Sequence, residues 1–272
     1  GDIPMDLRDK MAELGYFGIL VPEKYGGLGL GCFEYCLVTE ELSRGWMSVA
    51  SLIARGNLLI GAQMMSEEQR ARHLPRMAKG EFLGAFSMSE PIAGSDIANI
   101  SSRARKDGTG YLISGNKYWC TFADGADYLI VFARTSPPPS AEKRWQGIST
   151  FLIEKERGSF PRGISGSPIP KIGYFGWKTF ELAFDEFRVP GEGLIGEEGM
   201  AFLTMTKGLG GARAHTAARA IGLAQGALED SIAYAQERRQ FGMPIAEYQA
   251  IRFKIATMAT EIEAARQLLY HV

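Results

Sequence analysis

Two runs of residues carry side chains that could hold a flat cofactor or a charged ligand. The first is Phe86-Ser87-Met88-Ser89-Glu90-Pro91-Ile92-Ala93-Gly94-Ser95-Asp96. Its small hydroxyls and Gly-Ser turn leave backbone amides exposed, and such amides bind phosphate oxygens without any net charge. The plainer alternative is a Glu-Pro turn followed by an Asx-type cap, which spacing alone favours. The second run is Gly115-Asn116-Lys117-Tyr118-Trp119-Cys120-Thr121. If it is extended, Trp119 and Thr121 point to the same side, and an indole face beside a hydroxyl suits a heteroaromatic ring. A tryptophan that merely fills a β core is the alternative. Two arginines add a charge argument. Arg55 sits among Ile53, Ala54, Leu58 and Leu59, which weakens the alternative of a surface ion pair; inside an apolar pocket a lone cation is costly and implies an anionic partner. Its planar fork suits a carboxylate. Arg44 is equally placed for an ion pair with Glu40 or Glu41 on the same helix.

Other combinations fail on spacing. Gly27, Gly29 and Gly31 lack the third glycine of a dinucleotide loop, where Cys32 stands instead, and no strand precedes them. Gly176-Trp177-Lys178-Thr179 ends like a phosphate loop but lacks the upstream glycine at the required offset. Cys32, Cys36 and Cys120 have no metal-ligand spacing with each other or with His73, His215 and His271.

The elements that must position these runs fall into three textures. Residues 1 to 83 have helical periodicity at Met5–Leu14 and Phe33–Leu42, with glycine-rich breaks between them. Ser66-Glu67-Glu68-Gln69 forms a capping box that opens a further short helix. From 84 to 192 the texture is β. One strand covers Tyr111-Leu112-Ile113 and ends at Ser114-Gly115-Asn116, and others are expected at Tyr128–Ala133, Ile148–Ile153 and Phe180–Phe184. The last part returns to helix, with apolar stripes Ala217, Ile221, Ala224, Leu228, Ile232, Ala235 and Ile251, Ile255, Met258, Ile262, Ala265, Leu269 on either side of Gly242-Met243-Pro244. Helix, then β, then helix, without βαβ alternation, argues against a doubly wound sheet.

Composition removes several classes of function. With 30 Lys+Arg against 31 Asp+Glu among 272 residues, there is no electrostatic footprint for nucleic acid. Charged residues reach 22%, too many for a membrane bundle, and the densest apolar run is far too short to span a bilayer. Aromatic content of 11% argues against disorder. The N-terminus lacks a basic stretch followed by an apolar one, so no signal peptide is expected.

Taken in order, Ser-Glu-Pro-x-Ala-Gly-Ser-Asp at 89–96, Trp-x-Thr at 119–121, a β region ending Val189-Pro190, and Glu237-Arg238-Arg239-Gln240-Phe241-Gly242 resemble the acyl-CoA dehydrogenase family. The resemblance runs from about Leu14 to the last residue. It implies an α+β chain with an N-terminal helical domain over 1–83, a middle β-barrel domain over 84–192 and the start of a C-terminal helical bundle over 193–272. It also implies a homodimer or homotetramer, with FAD between the β domain and the C-terminal helices. Phe86, Met88 and Ser89 would contact the flavin, and Trp119, Cys120 and Thr121 would flank its ring. Ser95 would touch the CoA or diphosphate region, and Arg213 the CoA part of the substrate. Arg238, Phe241 and Gln249 would reach the FAD of a neighbouring subunit.

The implied reaction removes the α-proton of an acyl-CoA and passes the β-hydrogen as hydride to flavin N5, with an electron-transfer flavoprotein as acceptor. The same motifs suit an acyl-CoA oxidase or a catalytically silent assembly module. In most members the catalytic Glu lies in a segment that would follow Val272. A minority place it just before the arginine matching Arg213, where this chain has Ala212. No catalytic base is therefore assigned, and Glu90 and Glu237 belong to turn and helix motifs. Gly210 stands where the family usually has an acidic residue near the CoA.

Aligned with the family, Arg55 falls at the far end of the acyl pocket. Arg44 falls where members acting on glutaryl-CoA carry an arginine for the distal carboxylate. The stretch Ile169–Thr179 and Cys120 look like the branch acting on (2S)-methylsuccinyl-CoA. A short branched or dicarboxylic acyl-CoA is therefore the expected substrate. The expected compartment is the bacterial cytoplasm, or the mitochondrial matrix if the source is eukaryotic.

Overall fold

The computed structural model describes residues 3–57 and 64–271. In chain order its elements are α1 (Met5–Glu13), α2 (Cys32–Leu52), α3 (Glu67–Ala78), β1 (Gly84–Ser87), β2 (Arg103–Asp107), β3 (Gly110–Thr121), β4 (Tyr128–Arg134) and β5 (Ile148–Glu154). They continue with β6 (Ile164–Pro168), β7 (Thr179–Pro190), β8 (Leu194–Ile195), α4 (Ala201–Glu237), a hairpin of β9 (Arg239–Gln240) and β10 (Met243–Pro244), and α5 (Gln249–His271). Two compact units result: Gly1–Gly29 with Ala54–Gly210, and Leu30–Ile53 with Gly211–Val272.

The first unit is built on one eight-stranded mixed sheet in the order β6-β7-β3-β2-β4-β5-β8, with β1 paired in parallel to β4. β4 shows how the sequence makes it. Successive side chains point to opposite faces of a strand, so an unbroken apolar run must be covered on both. Tyr128, Ile130 and Phe132 enter one core with Met77 and Phe82, while Leu129, Val131 and Ala133 enter another. That second core draws side chains from each of β1 to β7, as the interior of a barrel does. Helix α3 opens on the expected box. Gln69 N donates to Ser66 Oγ at 3.2 Å, and Ser66 N donates to Gln69 Oε1 at 3.0 Å.

β3 departs from the sequence reading. It does not end at Ser114-Gly115-Asn116 but continues to Thr121, because Gly115 forms a bulge against β7 and not a turn. A side chain at Gly115 would lie 2.5 Å from Ser102 Oγ, and its φ of 139° is open to glycine alone. Helix α2 is longer than expected, running ten residues past Leu42 to Leu52 across a kink at Trp46.

In the second unit α5 lays its stripe against α4. Ile262, Ile255, Met258 and Leu269 cluster with Ile221, Ala224 and Leu228. α4 meets α2 at very close range through Gly222, where an added Cβ would fall 2.1 Å from the Glu40 carbonyl oxygen and 2.8 Å from Ser43 Cβ. Gly222→Ala should therefore destabilise by about 1–3 kcal/mol through overpacking, against the roughly 1 kcal/mol gain alanine gives an unencumbered helix. A shift of the urea midpoint to higher denaturant would contradict this contact. Among the described residues no helix is long and apolar enough to cross a membrane.

Candidate functional site

A buried ion pair fixes the two runs picked out in the sequence. Lys117 Nζ donates to Glu90 Oε1 at 2.9 Å, and both side chains are almost wholly inaccessible. The same ammonium donates to the Met88 carbonyl at 3.1 Å. Glu90 also accepts from Ser101 N, Ser101 Oγ and Ser102 N at 2.6, 2.8 and 2.9 Å. Burial alone would push this carboxyl up. The Lys117 charge and the hydrogen bonds from Ser102, Lys117 and Ser101 outweigh it and hold the group down at about 2. Glu90 is thus an anchored anion with no capacity to act as a base at neutral pH. Tyr118 N completes the clamp by donating to Ser89 O at 2.7 Å.

Just beyond this clamp β3 slips a second time against β7, between Lys117 and Cys120. Trp119 occupies the slip with φ 61°, a left-handed backbone in which a bulky residue is strained. This bulge corrects the expectation of an extended 115–121 run. Even so, Trp119 is 57% exposed, Cys120 is buried in the barrel core and Thr121 is half-buried. Burial pushes the Cys120 thiol up to about 12, so this residue can offer a ligand its backbone and not a thiolate. Thr121 Oγ1 lies 3.1 Å from Thr179 Oγ1. On the neighbouring strand and loop Phe86, Met88 and Ser89 are half-buried, and Ser95 is exposed.

Strain concentrates here. Among the described residues, five other than glycine have positive φ, and Trp119, Phe122 and Tyr174 are three of them. Phe122 and Tyr174 each pack edge-on against Trp177, with ring centroids 5.7 and 5.6 Å apart. The Arg55 guanidinium lies over both Trp177 and Phe122, 5.2 and 5.8 Å from their centroids. Lys171 pins the loop that carries Trp177, donating to the carbonyls of Tyr174 and Trp177 at 3.1 and 2.8 Å. The two residues that follow Arg55 are fixed by their own surroundings. An added Cβ on Gly56 would meet Phe17 at 2.8 Å, and Asn57 bonds the backbone of Tyr16 and Leu20 at 2.6 and 2.9 Å. Sequence reasoning missed Phe122, Trp177 and the Lys117–Glu90 pair. The signal within reach was an aromatic at each flank of the Thr121 and Thr179 strand ends.

In the second unit Arg44 is exposed and bonds Glu41 at 3.1 Å and Glu229 at 3.0 Å. Solvent screens such exposed pairs heavily, so Arg44→Ala should leave the urea midpoint nearly unchanged. A large loss would show that this arginine does more than pair at the surface. Arg213, Arg238 and Gln249 are exposed on α4, at its C-terminal end and at the start of α5. Phe241 sits with Gly242 in the tight turn between β9 and β10, with φ 51° and 86°. Primed turns of this kind favour Asn and Gly. A phenylalanine there, 94% exposed, is held out by a backbone that disfavours it.

Comparison with known proteins adds the following. Models of the acyl-CoA dehydrogenase N-terminal, middle and C-terminal domains match residues 1–81, 85–187 and 198–272. The chain is 42% identical to (2S)-methylsuccinyl-CoA dehydrogenase of Cereibacter sphaeroides, over 99% of this chain and 50% of that one. It thus spans about half the length of that relative. Its fold matches the glutaryl-coenzyme A dehydrogenase glutaryl-CoA complex with TM-score 0.87 and 37% identity, over 97% of this chain and 66% of that one. It also matches a glutaryl-CoA dehydrogenase of Mycobacterium smegmatis in complex with FADH2, with TM-score 0.86 and 30% identity, over 99% and 67% of the two chains.

Proposed function

Because the chain belongs to the acyl-CoA dehydrogenase family, we propose that it binds FAD beside Trp119 and takes part in α,β-dehydrogenation of an acyl-CoA that carries a second carboxylate. The observation that carries this reading is Trp119 itself, an exposed indole held in a strained backbone by the buried Lys117–Glu90 clamp. An aromatic so placed is costly unless something flat covers it. Half-buried Phe86, Met88 and Ser89 and the Thr121 hydroxyl are residue types that fit a tricyclic ring and its polar edge.

When bound, FAD supplies the acceptor for the substrate's β-hydrogen as hydride. The chain's own residues would do the rest. Trp119 excludes water from one side of the ring and offers an edge toward an electron-transfer flavoprotein. Thr121, steadied by Thr179, orients the ring. Ser95 and Arg213 would contact the CoA portion, and Arg238, Phe241 and Gln249 would meet the FAD of a neighbouring copy in a homo-oligomer. Arg55 would take the distal carboxylate of the acyl group, and Arg44 is a second candidate for that role. No general base is assigned, since Glu90 is locked in its ion pair. The proposed substrate is a short branched dicarboxylic acyl-CoA, of which methylsuccinyl-CoA is the test case. The proposed compartment is the bacterial cytoplasm or the mitochondrial matrix.

The test is visible absorbance of the purified protein during anaerobic addition of methylsuccinyl-CoA, compared with isobutyryl-CoA. The expected result is a yellow protein bleached preferentially by the carboxylated substrate. A colourless protein that takes up no FAD would end the reading. Arg55→Leu should lower the preference for the carboxylated substrate roughly tenfold, the scale of a lost hydrogen bond to a charged group.

A further inference from the structure

The first compact unit also carries a cavity of about 750 Å³ that none of the site residues above lines. That volume suits a small-molecule ligand. Four cationic side chains line it, Arg103, Arg105 and Lys106 from β2 and Arg134 from the end of β4, against a single carboxylate, Glu198. Arg103 and Arg134 are paired residues of adjacent parallel strands. Two like charges thus stand side by side, an arrangement that costs stability unless an anion joins them.

Arg134 is fixed in place and keeps its charge. Its guanidinium donates to the carbonyls of Ala98, Ile100, Arg144 and Gln146 at 2.5 to 3.0 Å, and arginine holds its proton in proteins. None of those carbonyls carries a charge to balance it. Arg103 is exposed and enters no ion pair among the described residues. Arg105 pairs with exposed Glu186 at 3.3 Å, and Lys106 with Glu198 at 3.1 Å. Water screens such pairs, and they give way readily to an anion of higher charge. One wall of the cavity is stiff. Pro137 and Pro138 have fixed φ, and the chain just before them is stitched to Gly147, whose carbonyl accepts from Thr135 N and Ser136 N at 2.9 and 3.4 Å. Gly147 has φ 82° and no room for a Cβ, which would lie 2.3 Å from the Ser136 carbonyl oxygen. The cations therefore line a preformed recess and not a loose surface.

We propose that this recess binds a small molecule through a phosphomonoester, whose oxygens Arg103 and Arg105 receive while Arg134 supplies a fixed charge. Arg103 and Arg105 share one face of β2, since Ala104 between them is turned into the core. A carboxylate carries one charge and would leave most of the excess standing. A phosphomonoester carries about 1.5 to 2 negative charges at pH 7 and three acceptor oxygens, which suits two arginine forks. That chemistry has two sources, the 3′-phosphate of a CoA thioester and a free nucleotide. The binding of the phosphate does not depend on the dehydrogenase reading.

The probe is adenosine 3′,5′-bisphosphate, titrated calorimetrically into the purified protein in phosphate-free buffer, with adenosine as the uncharged control. The expected result is binding of the bisphosphate alone. It should weaken about tenfold in Arg103→Gln, the scale of a lost charge-assisted hydrogen bond, and less in Arg103→Lys, which keeps the charge without the fork. Arg103 is exposed, so neither variant should move the urea midpoint, and a lower affinity then reports the site and not the fold. Absent binding of the bisphosphate, equal binding of adenosine, or unchanged affinity in Arg103→Gln would overturn the proposal. Competition identifies the source. Displacement by CoA and not by dephospho-CoA assigns the recess to the 3′-phosphate of a CoA thioester. A bisphosphate that binds unhindered in the presence of CoA assigns it to a free nucleotide, and either result upholds the proposal. Equal displacement by CoA and dephospho-CoA would mean that a phosphomonoester is not what the recess grips, and would overturn it. A protein that binds the bisphosphate as expected yet is bleached by no acyl-CoA would count against the dehydrogenase reading alone.

Discussion

Replacing Lys117 by Met is expected to lower the free energy of unfolding by about 3–5 kcal/mol, the scale for removing one partner of a buried ion pair. The cost comes from what stays behind. Glu90 would remain inaccessible, with its carboxylate facing Ser101 and Ser102 and no countercharge. Its pKa would then rise as burial took over from the lost attraction. Glu90→Gln should also destabilise, since its amide keeps one acceptor oxygen where Ser101 and Ser102 need two, and the buried Lys117 ammonium loses its countercharge. The double variant Glu90→Gln, Lys117→Met should be more stable than Lys117→Met alone, and a strictly additive loss would refute the coupling.

The same pair sets an acid limit. Glu90 is depressed from an ordinary 4.5 to about 2 in the folded state. The unfolded chain therefore binds the proton more readily than the folded one in that interval. The stabilisation is complete above about pH 4.5 and lost progressively toward about pH 2. Unfolding followed by urea across that interval should show the slope in the wild type and a flatter one in Glu90→Gln.

The sequence made periodic elements legible because each repeats a local rule. The stripe of α5 and the β4 run are packed where their periods place them. The capping box at Ser66 involves neighbours three residues apart, and it forms. What stayed hidden depends on distant partners. β1 is Gly-Ala-Phe-Ser, too short and small to announce a strand, and its Gly84 is needed because a Cβ would lie 2.2 Å from the Tyr128 ring. β2 reads Arg-Ala-Arg-Lys-Asp, a charged stretch with one buried side chain, Ala104. The C-terminal half of α2 is masked by the Ser-Arg-Gly-Trp sequence that kinks it. At the site, motif residues were visible as residue types, but the slip that turns Trp119 outward follows from pairing with β7, and the pairing of Glu90 with Lys117 crosses 27 positions. Arg55 was suspect from its apolar neighbours, while the rings that steady it come from β3's end and the loop before β7.

Trp119→Gly should separate stability from cofactor binding. In the flavin-free protein, glycine adopts φ 61° without the strain a bulky side chain suffers there, worth about 1–3 kcal/mol. Against this stand the added freedom of glycine in the unfolded chain, about 0.5–1 kcal/mol, and the edge contact with Tyr118 at 4.8 Å. The balance favours glycine by about 1 kcal/mol, read as a higher urea midpoint. Flavin retention should move the other way. Stacking of a heteroaromatic ring on an aromatic side chain contributes about 1–3 kcal/mol, so its loss weakens binding up to about a hundredfold. Trp119→Phe should keep part of the stacking and all of the strain, leaving stability near that of the wild type and flavin affinity between the two. A glycine variant that is less stable and still holds its flavin fully would mean that the indole serves the fold and not the ligand. The strained backbone would then need another cause, and the slip between Lys117 and Cys120, which the Glu90 anchor imposes from one side and Thr179 from the other, would be the place to look for it.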